Sequence, residues 1–576
     1  MTETIALADY LLTRLRQLGI EAIHGVPGDY NLELLDHVED QGFNWVGNCN
    51  ELNAGYAADG YARIKGAGAL ITTFGVGELS AINAVAGAFA ESAPVVHIVG
   101  TPKRHQRATR ALIHHSLNDG EYTYFSRMYE SITVAQAILE DPRTCPLQID
   151  TALQQCLIHS RPVYITVPAD MVKTPVSSAR LTTKIQVPLA ISSSEETRAL
   201  NAILERIYKS QRPLLFVDGE SRAFGILGQL DELMKLTTWP TWTSVFGKSC
   251  VDETLPNYCN IWRGPFATQE ERDAFEAADL ILCFGPHFSG TNTYLHVTIP
   301  PPEKTVLFKT NSIQSGDEVF RDLPAKHFLN KLISKLDNTK ISKSNNIVVR
   351  PDVSSKIASL PADGTFTQDM FYHVVGQYLR GGDILLGETG TAGYGCRDFR
   401  LPPKCHLFKP VTWLSIGYML PAAQGAALAQ QELHKNGVWP PVKSDESTRT
   451  ILLIGDGSVQ MTVQEISTMI RAKLNITIIV INNNGYTIER CIHGKHRAYN
   501  DIAPWRFLDA PGFFGASSDP SDGYHAETAQ ARTWSELHKF MQVDKPSNGP
   551  RLRMIEAFLP EQDAPVPLNY MLESQK

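Results

Sequence analysis

This 576-residue chain has little of what marks secreted, membrane or nucleic-acid-binding proteins. Its nine cysteines are scattered, with no close pair of the CxxC kind. That spacing argues against zinc and for reduced thiols in a cytosolic setting. No apolar run approaches the roughly 20 residues that cross a bilayer. Met1-Thr2-Glu3-Thr4 has neither the basic n-region nor the apolar stretch of a signal peptide. Glu573-Ser574-Gln575-Lys576 carries no lipidation or peroxisomal signal. A basic excess is also missing: the net charge of −8 leaves no electrostatic footprint for nucleic acid. A cytoplasmic protein with no membrane and no nucleic-acid partner is therefore expected.

What is present reads as globular α/β. Apolar residues make up 43% and charged residues 20% of the chain. The length exceeds one hydrophobic core, so two to four domains are expected. Residues 5–19 place Ile5, Ala8, Leu11, Leu12, Leu15 and Leu18 on one helical face. Short apolar strands then alternate with helical stretches: Ala69 to Phe74, a helix near Glu78 to Glu91, Val95 to Val99, and Val163 to Val167. This rhythm predicts a parallel sheet covered on both faces. Polar stretches at Ser177 to Glu196 and Asn338 to Thr367 read as linkers. Between them lies a second series, with strands at Pro213 to Val217, Leu280 to Phe284 and Thr305 to Phe308. A third begins at Asp383 to Gly387, with Glu432 to Thr450 as a surface excursion. Three domains with doubly wound parallel sheets are predicted, over 1–176, 197–337 and 368–565. The first and third could be distant copies of one fold.

The densest chemistry lies in the third series. Gly455-Asp456-Gly457-Ser458 follows the apolar run Ile451 to Ile454. Twenty-four residues separate Gly457 from Asn482-Asn483-Asn484-Gly485-Tyr486, which follows a second run, Ile476 to Ile481. Two buried parallel strands thus each bring a polar, glycine-bearing loop to one sheet edge. Asp456 and Asn483 are hard oxygen donors suited to Mg²⁺, which usually keeps phosphate oxygens in its shell. Gly457-Ser458 is expected to open a helix at about Thr462 to Ala472, whose N-terminal N–H groups favour anions. Together these features describe a diphosphate held by a metal at a strand end.

The spacing resembles that of the thiamine diphosphate enzymes. Val26-Pro27-Gly28-Asp29-Tyr30-Asn31, Asn50-Glu51-Leu52-Asn53-Ala54, Phe74-Gly75-Val76-Gly77-Glu78, His114-His115 and Gly485-Tyr486-Thr487-Ile488-Glu489 narrow the match. They resemble the pyruvate decarboxylase family, and among it the fungal 2-oxo acid decarboxylases, from about residue 5 to residue 565. The resemblance implies non-oxidative decarboxylation of a small-molecule 2-oxo acid to an aldehyde and CO₂, with thiamine diphosphate and Mg²⁺. It also implies a homodimer as the minimal active unit, expected to form a homotetramer. A carboligase of the acetohydroxyacid synthase type shares cofactor and sheets, and a catalytically idle scaffold of the same fold is a third reading. The two histidines and Glu489 favour protonation to aldehyde.

Carried over residue by residue, the resemblance makes Asp456, Asn483 and the Gly485 carbonyl the metal ligands. Gly455, Gly457, Ser458, Thr391, Leu414, Ile416, Tyr486, Thr487 and Ile488 would contact the cofactor, with Ile416 wedging it into a V. Glu51 would hydrogen-bond the pyrimidine nitrogen, although an acid at a helix N-terminus also answers the helix dipole. Asp29, His114, His115 and Glu489 would handle protons, which needs groups titrating near neutral pH. Two successive histidines on a regular backbone point apart, which suits two separate polar contacts and disfavours chelation of one metal.

The chain also departs from the pattern. Leu414 stands where most members place Gly, so the backbone there must tolerate a Cβ. Thr291 stands where yeast-type enzymes have Phe, and Gly393 replaces an Ala. Both changes remove volume near the expected substrate pocket, so pyruvate and a bulkier aromatic or branched 2-oxo acid both remain open. Asp218-Gly219-Glu220-Ser221 lies where substrate-activated yeast enzymes carry a regulatory Cys, and cysteine-linked activation is not expected.

Overall fold

The structure is a computed structural model, and it describes residues 3–187, 193–343, 347–348, 352–439, 447–545 and 549–573. Parts of both expected linkers, and residues 440–446 of the expected excursion, lie outside the described residues.

Three sheets organise the chain. The first has six strands in the spatial order Asn44–Trp45, Ala22–Gly25, Gly68–Thr73, Val95–Thr101, Val163–Pro168, Gln136–Ile138. The third also has six: His406–Phe408, Ile384–Gly387, Thr450–Gly455, Ile476–Asn482, Leu552–Phe558, Ala526–Ala531. Every pairing in both is parallel. Numbered by chain position within its own unit, each sheet runs 2-1-3-4-6-5. The first and third units are thus two copies of one topology, a relation invisible in side-chain identity. The central sheet has seven strands and differs at one edge. There Ser312–Ser315 and Glu318–Arg321 add an antiparallel hairpin to five parallel strands.

The shared order places the chemistry. In an open parallel sheet, the crevice lies outside the carboxyl ends of the two strands where the order reverses. In the third sheet those strands are Ile384–Gly387 and Thr450–Gly455, so Thr389-Gly390-Thr391 and Gly455-Asp456-Gly457 flank the crevice. In the first they are Ala22–Gly25 and Gly68–Thr73, so Pro27-Gly28-Asp29 and Phe74-Gly75-Val76-Gly77 flank its counterpart.

Four local expectations change. Ile5 is not on the first helix: it pairs with Val176 in a short antiparallel strand, and the helix runs Leu7–Gln17. The helix after the Gly-Asp-Gly loop starts directly at Asp456, ends at Thr462, and a second one spans Glu465–Arg471. Glu432 belongs to no excursion. It sits on the helix Met419–Lys435, where its carboxylate takes the Tyr61 hydroxyl at 2.6 Å and the Lys65 ammonium at 2.8 Å. The first expected linker is shorter at its far end, because the helix Ser193–Lys209 already occupies its last residues.

A single apolar core spans the first and third units, joined through the helices Glu51–Lys65 and Met419–Lys435. These two cross at backbone contact. A Cβ on Gly60 would overlap the Ala422 carbonyl, and one on Gly425 would overlap the Ala57 carbonyl. Forcing atoms into such a seam typically costs about 1–3 kcal/mol. Gly425→Ala is therefore expected to lower the midpoint of thermal unfolding by several degrees. An unchanged midpoint would mean that the two helices re-space freely.

Candidate functional site

The crevice of the third sheet opens into a cavity of about 260 Å³. Its floor is an oxygen cluster. Asp456 is 1% exposed, and its carboxylate accepts the Gly457 N–H at 2.9 Å and the Gly485 N–H at 3.0 Å. The Asn483 amide oxygen faces Asp456 Oδ1 at 3.2 Å and the Gly485 carbonyl at 3.0 Å, so three oxygens meet with no donor between them. One carboxylate, one amide and one carbonyl therefore converge. Burial pushes the Asp456 carboxyl up to about 6, against the backbone donors of Gly485 and Gly457. A buried carboxylate beside two further oxygen-bearing groups, with no sulfur or imidazole, fits a hard cation such as Mg²⁺.

Glycine makes this loop possible. Gly485 takes φ +124°, and a Cβ there would overlap the Asn500 carbonyl. The ring of Tyr486 lies where a Cβ on Gly457 would come within 2.6 Å of it. The rest of the wall comes from Thr389, Gly390, Thr391, Ser458, Thr487, Ile488 and Glu489, and from Leu414 and Ile416. Leu414 holds φ +55°, a left-handed conformation that costs roughly 1–2 kcal/mol for a residue with a Cβ. Neighbours over-determine it. The buried Glu91 carboxylate accepts the N–H groups of Val411, Thr412 and Trp413 at 2.8, 2.8 and 3.1 Å. On the far side, Ser415 Oγ meets the Tyr56 hydroxyl at 2.7 Å.

Behind the wall lies Glu388, fully buried, whose carboxyl burial raises to about 7. It accepts the Thr389 N–H at 2.7 Å and the Met419 N–H at 2.8 Å, tying strand end to helix start. Thr291 and Gly393 face the same cavity, together with Tyr394, Arg397, Pro410 and Val411. The Thr291 hydroxyl donates to the Val411 carbonyl.

Asp29, Glu51, His114 and His115 are not on that wall within one chain. They gather at the crevice of the first sheet. Glu51 opens its helix with Asn50 as the cap, which accepts the Asn53 N–H. A Cβ on Gly77 would stand 3.0 Å from Glu51 Oε1, so the glycine leaves the carboxylate its space. The histidines do not point apart. His114 Nε2 is hydrogen-bonded to Asp29 Oδ2, and His115 Nε2 lies 3.7 Å from Asp29 Oδ1. The expectation of two separate contacts assumed a regular backbone. His115 instead takes φ +65°, which swings its ring back to the same carboxylate, 4.8 Å from the His114 ring. Tyr30 stacks on His114 at 5.0 Å.

Sequence reasoning missed Glu91, Tyr394 and Arg397. The only signal for Arg397 is a charged residue just past the small, apolar run Thr391-Ala392-Gly393-Tyr394-Gly395-Cys396. Ser221, at the position of the absent cysteine, is buried and donates to the Phe284 carbonyl at 3.0 Å.

Gly75 sets the histidine loop. It takes φ +66° directly before the helix Val76–Ala90, and a Cβ there would overlap the His115 carbonyl. Gly75→Ala is expected to displace His115 from Asp29 and lower kcat at least about tenfold, part of the roughly 10²–10⁴-fold that a positioned acid–base group contributes. Steady-state rates at saturating substrate check it, with the far-UV spectrum unchanged.

Comparison with known proteins bears on both crevices. The thiamine pyrophosphate enzyme N-terminal TPP binding domain matches residues 5–121, the central domain 200–336, and the C-terminal TPP binding domain 388–511. Pyruvate decarboxylase of Aspergillus parasiticus is 53% identical over 574 residues, covering 100% of this chain and 98% of the relative. Pyruvate decarboxylase isozyme 2 of Saccharomyces cerevisiae is 38% identical over 563 residues, covering 97% of this chain and 96% of the relative. Among solved structures, the thiamine diphosphate-dependent 4-hydroxybenzoylformate decarboxylase of Rhodococcus jostii RHA1 superposes with a TM-score of 0.75 at 17% identity. That match covers 96% of this chain and 99% of the other, and it supports the fold. With three matched domains and full-length relatives, the chain belongs to the thiamine diphosphate-dependent pyruvate decarboxylase family and is a 2-oxo acid decarboxylase, a carboxy-lyase.

Proposed function

We propose that the chain decarboxylates pyruvate or a bulkier aromatic or branched 2-oxo acid to an aldehyde, as a cytoplasmic homo-oligomer that uses Mg²⁺ with thiamine diphosphate. The observation that carries this reading is the convergence of Asp456, Asn483 and the Gly485 carbonyl on the cavity floor. These three would hold Mg²⁺ and, through it, the diphosphate. Gly455, Gly457, Ser458, Thr391, Leu414, Ile416, Tyr486, Thr487 and Ile488 would enclose the cofactor. When bound, thiamine diphosphate supplies the nucleophilic carbon and the electron sink that decarboxylation needs, and the protein supplies binding and orientation.

Glu51 would hydrogen-bond the pyrimidine ring from the crevice of the first sheet. Asp29 and His114 form one hydrogen-bonded acid–base pair, with His115 at the other carboxylate oxygen. Such a pair holds one proton between two atoms and can deliver it to the carbon that has lost CO₂. It can also take the hydroxyl proton as the aldehyde departs. Glu489 faces the cavity from the opposite side.

A homodimer is the arrangement that unites these parts. The cavity of about 260 Å³ takes no lining residue from the first unit of its own chain. It is also smaller than pockets that enclose a whole drug-sized ligand, about 300–1,000 Å³. A second copy, bringing its Glu51, Asp29, His114 and His115 over the opening, would complete the wall. Pairing of two such dimers gives the proposed tetramer.

The metal assignment is tested by Asp456→Ala. The variant is expected to lose bound thiamine diphosphate on desalting, measured by cofactor content of the purified protein. Retention of cofactor with full activity at limiting Mg²⁺ would refute the assignment.

Substrate size is tested at Thr291. A ring there would fill space beside Gly393 and Val411. One methylene in an apolar pocket is worth roughly 1–3 kcal/mol of discrimination, so a ring shifts preference by orders of magnitude. Wild type is expected to turn over phenylpyruvate, and Thr291→Phe is expected to lower that kcat/KM at least tenfold more than the value for pyruvate. Equal losses on both substrates would remove Thr291 from the pocket wall.

A further inference from the structure

The wall formed by Thr291 and Gly393 is not wholly apolar. Arg397 lines the same cavity and is 6% exposed. Its Nε and Nη1 meet no hydrogen-bond acceptor. The guanidinium lies over the Tyr394 ring at 4.1 Å and 5.5 Å from the centre of the Tyr294 ring. Neither ring neutralises it. The adjacent carboxylate, Asp398, is turned to Arg263 at 2.6 Å.

A second basic side chain stands close by. Lys409 is 5% exposed and its ammonium meets no acceptor. Burial, and then the nearby Arg397 guanidinium, hold that ammonium well below its usual range. Burial therefore favours the neutral amine at Lys409, and the lasting charge at this wall is the Arg397 guanidinium, which makes no salt bridge among the described residues. Buried charges ordinarily pair or coordinate, and the guanidinium has two N–H groups left for an anion.

Local geometry says where the anion would sit. Arg397 lies just past the short helix Thr391–Gly395, its N–H donating to the Tyr394 carbonyl at 3.1 Å. The Tyr294 ring comes from the segment that carries Thr291, and Lys409 precedes Pro410 and Val411 on the same wall. Arg397 is therefore at the Thr291–Gly393 end of the cavity, and the Asp456–Asn483–Gly485 cluster makes its own contacts.

We infer that Arg397 is a specificity-determining residue that receives a second carboxylate on the substrate, so that beyond the neutral 2-oxo acids proposed above the cavity also accepts 2-oxo dicarboxylic acids and prefers them to neutral acids of similar length. The inference rests on the decarboxylase reading of this cavity. A guanidinium offers two parallel N–H donors to a carboxylate, a charge-assisted pairing that is specific in geometry. A neutral side chain would leave those donors buried and unmet, and sites of that kind discriminate strongly against substrates lacking the partner.

The test uses the holoenzyme with 2-oxoglutarate, 2-oxohexanoate and pyruvate as substrates, and glutarate as a ligand without the reacting carbonyl. Wild type is expected to prefer 2-oxoglutarate to 2-oxohexanoate by at least about tenfold in kcat/KM, the scale of one lost charge-assisted hydrogen bond. Arg397→Met should lower that ratio at least tenfold, and Arg397→Lys should restore part of it. Glutarate should bind wild type in calorimetric titration and should not bind Arg397→Met. A wild-type preference for 2-oxohexanoate would overturn the inference. Equal loss on all three substrates in Arg397→Met would also overturn it, since that marks a structural role or contact with the carboxylate common to every 2-oxo acid. So would weakened thiamine diphosphate binding with the ratio unchanged, which would make Arg397 a diphosphate ligand. If no 2-oxo acid is turned over at all, the decarboxylase reading fails, and glutarate binding alone still decides the role of Arg397.

Discussion

The seam between the helices Glu51–Lys65 and Met419–Lys435 is the contact on which the rest of the molecule depends. At Gly60 and Gly425 the two backbones touch, with no side chain between them. One helix begins at Glu51 and the other follows directly on the Leu414–Ile416 segment. Their spacing therefore fixes how the crevice of the first sheet stands relative to that of the third. Polar ties lock the same seam: Tyr418 to Asp59 at 2.7 Å, and Tyr61 to Glu432 at 2.6 Å. A side chain in the seam would move both crevices at once.

Glycine does related work at the crevices themselves. Gly75 admits the His115 carbonyl and Gly485 admits the Asn500 carbonyl, each with a positive φ. In both places the missing side chain matters, whatever the Gly485 carbonyl also does at the cavity floor. The glycine lets another strand of backbone approach, and that backbone orients a functional side chain. Leu414 takes the same left-handed conformation with a Cβ, and the three N–H donors held by Glu91 immediately before it supply the restraint. Strain of this kind persists only where surrounding structure over-determines it.

The electrostatics of the cavity divide by position. On the floor, burial opposes ionisation of Asp456, and backbone N–H groups partly offset it. At the Thr291–Gly393 end, Arg397 is a buried cation whose Nε and Nη1 meet no acceptor. A cavity with an acid at one end and a guanidinium at the other suits a ligand that changes charge along its length, and such burial strengthens each interaction because the local dielectric is low.

The sequence by itself determined the strands, the glycine-bearing loops and the identity of the polar residues at their ends. Apolar runs such as Pro213–Val217 and Leu280–Phe284 fell where the strands lie, because a strand buried on both faces must be apolar throughout. The Asp456 and Asn483 loops were legible for the same reason, since each follows such a run. Only the tertiary structure decided what those residues meet. The position of Arg397 depends on packing between segments about a hundred residues apart in the case of Tyr294, and no local pattern encodes that distance. The convergence of His114 and His115 on Asp29 required a left-handed His115, stabilised by a glycine forty residues earlier. The identical strand order of the first and third sheets emerged only from pairing. Local periodicity reports which face of an element is buried; it carries no information about which element buries it.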